Sequence, residues 1–297
     1  MQQFLMDPPA NWCMPANHKY SRRSGQWRPF TSARSASSVH QGLVVINALL
    51  SFLTERGYLS VNPLTKAFRR PQISNHREAF FAEEQAALWQ AIEDLPRKTP
   101  RQIEDYERKR WLLRLLLVTG MRLFEVASHT MGNLREHELP DGRVVWRIYI
   151  IGNGGRPDWV PVTPQLLEDL KRNRLHLGLA PYPMRGDLQD EAFPLVASIK
   201  GKRPIKPYRI YELVKAVFKA TSEQLKASNP ARAAKLAQAV PHLTRHTAIT
   251  NVGRHADVRL TQRFARHQDI NTTMLYVSHE DGALHEAVAK TDQGDND

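Results

Sequence analysis

Apolar residues first recur at helical spacing at Val39, Leu43, Ile46, Leu50 and Leu53, in steps of three and four. Ser37 or Ser38 can accept from the free N–H groups of a first turn and Gly57 can close the last one, so the pattern predicts an amphipathic helix of about five turns. Ahead of it, the stretch to Phe30 is rich in Pro, Asn, Arg and Trp, lacks a sustained period and reads as an irregular arm. Behind it, Asn62-Pro63 ends the segment, and the polar, basic run from Arg69 to Arg77 reads as a linker. A second region opens with a helix near Glu83 to Leu95. A longer one follows from about Glu104 to Val118, where Leu112, Leu113, Leu115, Leu116 and Leu117 predict burial on nearly every side. Thr119-Gly120 breaks that helix, and a short one carrying Arg122 and Glu125 begins there. Val144 to Ile151 reads as a strand, Asn153-Gly154-Gly155 as a turn and Asp158 to Val162 as the partner strand, a hairpin that is the only convincing β-structure. Pro164 to about His176, Tyr208 to Ala220 and Glu223 to Ala239 read as helices, and the rest as short helices broken near Pro241, Ala256 and Gln268 to Ile270. The expected fold is therefore mainly α with a small β-hairpin or sheet, in two domains, 1–76 and 80–297.

Composition narrows the function. With 41% hydrophobic and 24% charged residues, the 297-residue chain has the make-up of a soluble globular protein. No window approaches eighteen uninterrupted apolar residues and the first ten lack a basic start before an apolar run, so no membrane span or secretory signal is expected, and the expected location is the cytoplasm. Cys13 is the sole cysteine, which excludes an internal disulfide and a Cys-based zinc site. The formal charge of +12 changes the picture most, because a polyanion is the partner that rewards such an excess. Residues 1–80 hold ten Lys/Arg against three Asp/Glu, while residues 280–297 hold one Lys against six acids. A basic body with an acidic tail fits DNA binding by the body.

Three local signals carry candidate chemistry. In Thr119-Gly120-Met121-Arg122-Leu123-Phe124-Glu125 a glycine turn presents an arginine at a helix start. In His242-Leu243-Thr244-Arg245, the histidine and arginine are three apart and share a face if helical. His267 is followed nine residues later by Tyr276. Each alone is commonplace: a solvated arginine, a chance pair, a packing tyrosine. Their order and spacing together resemble the tyrosine recombinases of the phage integrase family, which carry an arginine after Thr-Gly, a His-x-x-Arg box, a second histidine and a tyrosine near the C-terminus. The resemblance runs from about Ser37 to Tyr276, and Val39 to Pro63 is similar to the closing helix of the family's core-binding domain.

The resemblance implies a two-domain clamp around double-stranded DNA: a basic, helical core-binding domain at 1–76 and a catalytic domain with a C-terminal tail at 80–297. It implies a homotetramer acting on paired sites, with accessory DNA-bending proteins as further partners, in DNA integration or the movement of a mobile element. It also implies cleavage and rejoining through a 3′-phosphotyrosyl link to Tyr276, without cofactor, metal or ATP. Arg122 and Arg245 would clamp the scissile phosphate, since a guanidinium stays protonated and bonds two oxygens at once. His242 and His267 would add hydrogen bonds or manage the tyrosine proton, and Glu125 would orient Arg122 or a neighbouring histidine.

Three departures stand against the pattern. The family carries a lysine on the hairpin turn, where this chain reads Gly152-Asn153-Gly154-Gly155-Arg156-Pro157, and no lysine occurs between Lys109 and Lys171. Asn153 and Arg156 stand at the lysine positions; Lys200 or Lys202 in a basic loop is the alternative source of that group. Arg266 replaces a glycine before the second histidine, and helices that normally precede Val39 are not evident. The alternatives are therefore a recombinase-like DNA-binding protein with impaired catalysis, or a type IB topoisomerase, which shares the chemistry.

Overall fold

The computed structural model describes residues 2–15, 20–64, 79–151, 157–198, 203–267 and 270–274. The chain divides into two compact units, Met1–His76 and Arg77–Asp297.

The first unit is built on helix α2 (Ala36–Glu55), which packs against a short helix α1 (Gln2–Met6). The described part of the opening stretch is largely irregular, as its composition predicts, but it carries the short α1 and packs through its aromatic rings. Phe4 stands edge-on to Trp12 and to Phe30, with ring centroids 5.4 and 5.9 Å away, and Cys13 pairs with Phe30 through a single β-bridge. Aromatic packing between residues far apart in sequence supplies an order that has no local period. The N-cap of α2 is Ser35, whose hydroxyl accepts from the Ser38 N–H at 3.3 Å, so the helix starts earlier than Ser37 or Ser38 would allow. Gly57 closes the far end at φ +77°, a conformation that favours glycine. Val39 and Leu43 are buried, while Val45, Leu49 and Phe52 are exposed. By length and mean composition α2 is apolar enough to cross a bilayer, but, as the sequence reading has it, the apolar run is not uninterrupted: His40, Gln41 and Asn47 break it.

The second unit wraps helices around α4. In chain order it has α3 (Ala82–Glu93), α4 (Pro100–Thr119), α5 (Leu123–Ser128), strands β1 (Leu134–Glu138), β2 (Val144–Ile151) and β3 (Pro157–Val162), and α6 (Pro164–His176). These are followed by α7 (Leu188–Glu191), α8 (Pro207–Leu225), α9 (Pro230–Gln238), α10 (His242–Gly253), α11 (Val258–Ala265) and α12 (Ile270–Met274). Helix α4 contacts α3, α6, α8, α10 and β3, and its leucines Leu112, Leu113, Leu115 and Leu116 are at most 1% exposed, as the near-continuous apolar run predicts. It begins at Pro100, before Glu104, because Thr99 and Gln102 form a reciprocal capping box.

The hairpin expected from the sequence is part of a three-stranded antiparallel sheet in the order β1-β2-β3. Strand β1, Leu-Arg-Glu-His-Glu, buries only Leu134 and has no apolar alternation to reveal it; its pairing from Leu134↔Ile148 to Glu138↔Val144 makes it a strand. The α8–α9 break falls at Asn229-Pro230, not near Ser222. Ser222 continues α8 and bonds across to the Ala233 carbonyl at 2.8 Å, while the Asn229 side chain caps α9 through the Arg232 N–H.

Helix α6 is fastened to α4 by ion pairs. The Asp169 carboxylate, 4% exposed, accepts from Arg110 at 3.1 Å and Arg114 at 2.6 Å. Asp169→Ala takes the carboxylate from the partly buried Arg114 and leaves Arg110 only its ion pair with Glu93, and is expected to lower unfolding free energy by about 3 kcal/mol, read from urea denaturation. A loss no larger than that of an exposed pair, below about 1 kcal/mol, would show that water replaces the carboxylate.

Candidate active site

Five of the residues singled out in the sequence are brought to one region of the second unit. Gly120 ends α4 in the left-handed region at φ +58°, and a Cβ there would lie 3.3 Å from the Ala248 Cβ and 3.5 Å from the Phe264 ring. The turn thus lets α4 meet α10 and the segment that follows it at close range. Its carbonyl accepts from Arg245 Nη1 at 2.5 Å, and Arg245 Nη2 donates to the Ala265 carbonyl at the end of α11. Arg245 is 3% exposed, so this buried guanidinium fastens three segments while holding a full charge inside the site.

Arg122 is the N-cap residue just ahead of α5. Its backbone N–H donates to Glu125 Oε2 at 2.8 Å and its guanidinium to Glu125 Oε1 at 3.0 Å. Glu125, 2% exposed, also accepts from Arg266 Nη2 at 2.9 Å. Burial pushes the Glu125 carboxyl up, but Arg266 and Arg122 outweigh it and hold the group below the ordinary carboxylate range. The carboxylate is ionised at neutral pH, fixes the Arg122 side chain and is shared with Arg266.

Arg266 departs from the family's glycine for a reason visible here. It caps α11 at φ +53°, the only non-glycine positive φ among the described residues, and a backbone that glycine adopts without cost. An arginine pays about 1–2 kcal/mol for that conformation. Its charge-assisted bond to a buried carboxylate opposes this cost. Burial and Arg122 lower the Arg266 pKa, while Glu125 and Asp158 of β3 oppose them. The sheet also reaches α11 through Trp159, whose ring centroid lies 3.8 Å from the Arg147 guanidinium and 5.1 Å from that of Arg263.

His267 follows directly and its Nδ1 lies 3.0 Å from the hydroxyl of Thr273 in α12. Burial first, then the charges of Arg245, Arg122, Arg266 and His242, push its pKa down to about 4. His267 is therefore neutral at pH 7, and an NMR titration of its imidazole should give a midpoint near 4; a midpoint at 6.5 would mean that water screens the arginines. Because the unfolded ring titrates near 6.5, the folded state keeps this stability above about pH 6.5 and loses it as pH falls towards 4. His242 is exposed at the first position of α10, whose N-terminal end favours anions, and its ring stands edge-on to His246 at 4.7 Å. Tyr276, Asn153, Arg156, Lys200 and Lys202 lie outside the described residues. The roles of Arg266 and Thr273 escaped the sequence reading; the one available signal was that Arg266 occupies a glycine position.

Buried and half-buried guanidiniums, a carboxylate that fixes one of them and a neutral histidine, all carried on a helical domain with a small sheet, define the architecture of a tyrosine recombinase catalytic domain. Residues 82–282, about two thirds of the chain, match the phage integrase family, and the chain belongs to that family. Among solved structures, it is similar to the XerH site-specific recombinase bound to a palindromic difH substrate in a post-cleavage complex, at 19% identity and a TM-score of 0.61, over 86% of this chain and 67% of that one. It is also similar to a lambda integrase dimer bound to a COC′ core site, at 14% identity and a TM-score of 0.54, over 82% of this chain and 59% of that one. The Tn1549 transposon integrase in complex with circular intermediate DNA is a third, at 16% identity and a TM-score of 0.54, over 85% and 79%. At these identities the likeness establishes the fold, and the chain spans about two thirds or less of the first two proteins' lengths. No curated protein sequence matches the chain.

Proposed function

We propose that this chain is a site-specific recombinase that cuts and rejoins double-stranded DNA through a 3′-phosphotyrosyl bond to Tyr276, without metal or ATP. The observation that carries the reading is the convergence of Arg122, Arg245 and Arg266 on neutral His267, with Glu125 fixing Arg122. A phosphodiester under attack gathers charge on its non-bridging oxygens, and preorganised guanidiniums meet that charge without reorganising. Tyr276 Oη attacks phosphorus and loses its proton, the bond to the 5′-oxygen breaks, and that oxygen takes up a proton to leave as a hydroxyl. The phosphotyrosyl ester keeps the energy of the broken bond, so a 5′-hydroxyl of another strand reverses the steps and frees Tyr276. His242 and His267 hydrogen-bond the phosphate or carry the tyrosine proton. The relatives' DNA complexes, XerH on difH and the Tn1549 integrase on circular intermediate DNA, support DNA as the substrate and a role in mobile-element movement. The acting species is a homotetramer on two paired sites, working in the cytoplasm, with DNA-bending proteins as accessories.

The test is incubation with nicked suicide duplexes carrying candidate sites, followed by a denaturing gel and mapping of any adduct. A slow-migrating species mapped to Tyr276 supports the reading. Binding whose log affinity falls with log salt by about 0.9 per phosphate neutralised, with no adduct on any duplex, supports instead a DNA-binding protein that keeps the fold. The missing hairpin lysine favours that second reading.

A further inference from the structure

Between the site and the sheet lies a buried histidine to which the chemistry above gives no role. His129 follows α5 and is 6% exposed. Its Nδ1 lies 2.7 Å from the main-chain carbonyl of Glu125, which also accepts the His129 backbone N–H at 3.1 Å. Its Nε2 lies 2.9 Å from the backbone nitrogen of Ile151, the last residue of β2. The partners decide the tautomer. A carbonyl can only accept, so Nδ1 carries the proton, and an N–H can only donate, so Nε2 offers its lone pair. Only the neutral Nδ1-protonated ring satisfies both.

The β1–β2 ladder ends at the Leu134–Ile148 pair, three residues short of Ile151, so β1 offers the Ile151 N–H no ladder partner. The last residue of β2 is thus pinned through one imidazole to the same residue whose carboxylate holds Arg122 and Arg266. The first residues of β3 reach that corner too, since the Asp158 carboxylate acts on Arg266.

We propose that His129 is a positioning residue that couples the base of the β2–β3 hairpin to the Glu125–Arg122 corner of the site, so that hairpin and arginine keep a fixed relation during cleavage. This rests on the recombinase reading for its effect on rate, but the coupling itself is measurable without DNA. His129→Leu removes both bonds, together with the 3.2 Å contact between Nδ1 and the Ser128 hydroxyl. His129→Gln can offer an oxygen towards Ile151 where Nε2 stood, and His129→Asn can offer an N–H towards Glu125 where Nδ1 stood.

The experiment measures amide exchange at Ile151, the imidazole ¹⁵N shifts of His129, DNA affinity and single-turnover cleavage in all four proteins. The wild type should show a protonated Nδ1, a lone-pair Nε2 and a protected Ile151 amide. Protection should fall at least tenfold in Leu and Asn variants and return in Gln. Cleavage should follow the same order, down about tenfold or more in Leu and Asn and partly rescued in Gln, with DNA affinity unchanged in each. Equal cleavage by wild type and folded Leu variant overturns the proposal, as does a cleavage loss that Gln and Asn share equally. Should His129→Leu fail to fold, the Gln and Asn pair decides alone. A wild type that forms no adduct sinks the recombinase reading, whereas an unprotected Ile151 amide in the wild type sinks the coupling.

Discussion

Tyr276→Phe is expected to abolish the covalent adduct on a nicked duplex while leaving DNA affinity unchanged. The substitution removes the one oxygen assigned to bond phosphorus and alters nothing that neutralises phosphate charge, so binding and chemistry separate completely. The arginines should separate differently. Arg122 has a side chain 37% exposed and, among the described residues, bonds to Glu125, so Arg122→Ala should reduce cleavage about a hundred- to a thousandfold with little effect on stability. Arg245 is buried and donates to the Gly120 and Ala265 carbonyls, so Arg245→Ala should cost a similar factor in rate and lower the melting temperature as well. Arg245→Lys should not restore the rate, because a single ammonium cannot reproduce the planar fork that spans both carbonyls and still faces the phosphate. Single-turnover cleavage, gel shift and thermal melts on the wild type and these four variants check the set. An adduct from Tyr276→Phe equal to that of the wild type would falsify the assignment of the nucleophile.

Restoring a lysine to the hairpin is expected to accelerate cleavage. The departing 5′-oxygen needs a proton from a group that can release one near neutral pH. Asn153 has none to give, and the guanidinium of Arg156 holds its proton too tightly to act as an acid. General acid help is worth about a hundred- to ten-thousandfold, so Asn153→Lys, or Arg156→Lys if that position is the equivalent one, should raise the rate within that range. A substrate whose 5′-bridging oxygen is replaced by sulfur has a leaving group that needs no proton, and on it the advantage of the lysine variant should shrink. Equal rates of the wild-type protein on the ordinary and sulfur substrates would show that an acid is already supplied, with Lys200 or Lys202 the first candidates to replace.

Much of this was open to reading because local chemistry and global fold agree. The Thr119-Gly120 break, the burial of α4 and the boundaries of β2 and α6 follow from patterns that act over a few residues, and the structure bears them out. Strand β1 was not readable, since a charged edge strand gains its conformation from the ladder it joins and from little in its own side chains. The ordered opening segment was hidden for a similar reason: Phe4, Trp12 and Phe30 meet only after the chain has turned.

At the site the division is between residue types and their couplings. The order and spacing of Arg122, His242, Arg245, His267 and Tyr276 pointed to the family, and the proposed chemistry follows from the same residue types, because phosphoryl transfer to a tyrosine would demand fixed cations and a hydroxyl whatever surrounds them. What the sequence could not disclose is which groups hold which. That Glu125 is shared by two arginines 3 and 141 residues away, that Arg266 takes a left-handed backbone and that burial, with the charges around it, holds His267 neutral are consequences of distance and burial. Such quantities exist only once α4, α5, α10 and α11 have packed, since the strength of each interaction depends on how far the fold has driven water out of the space between them.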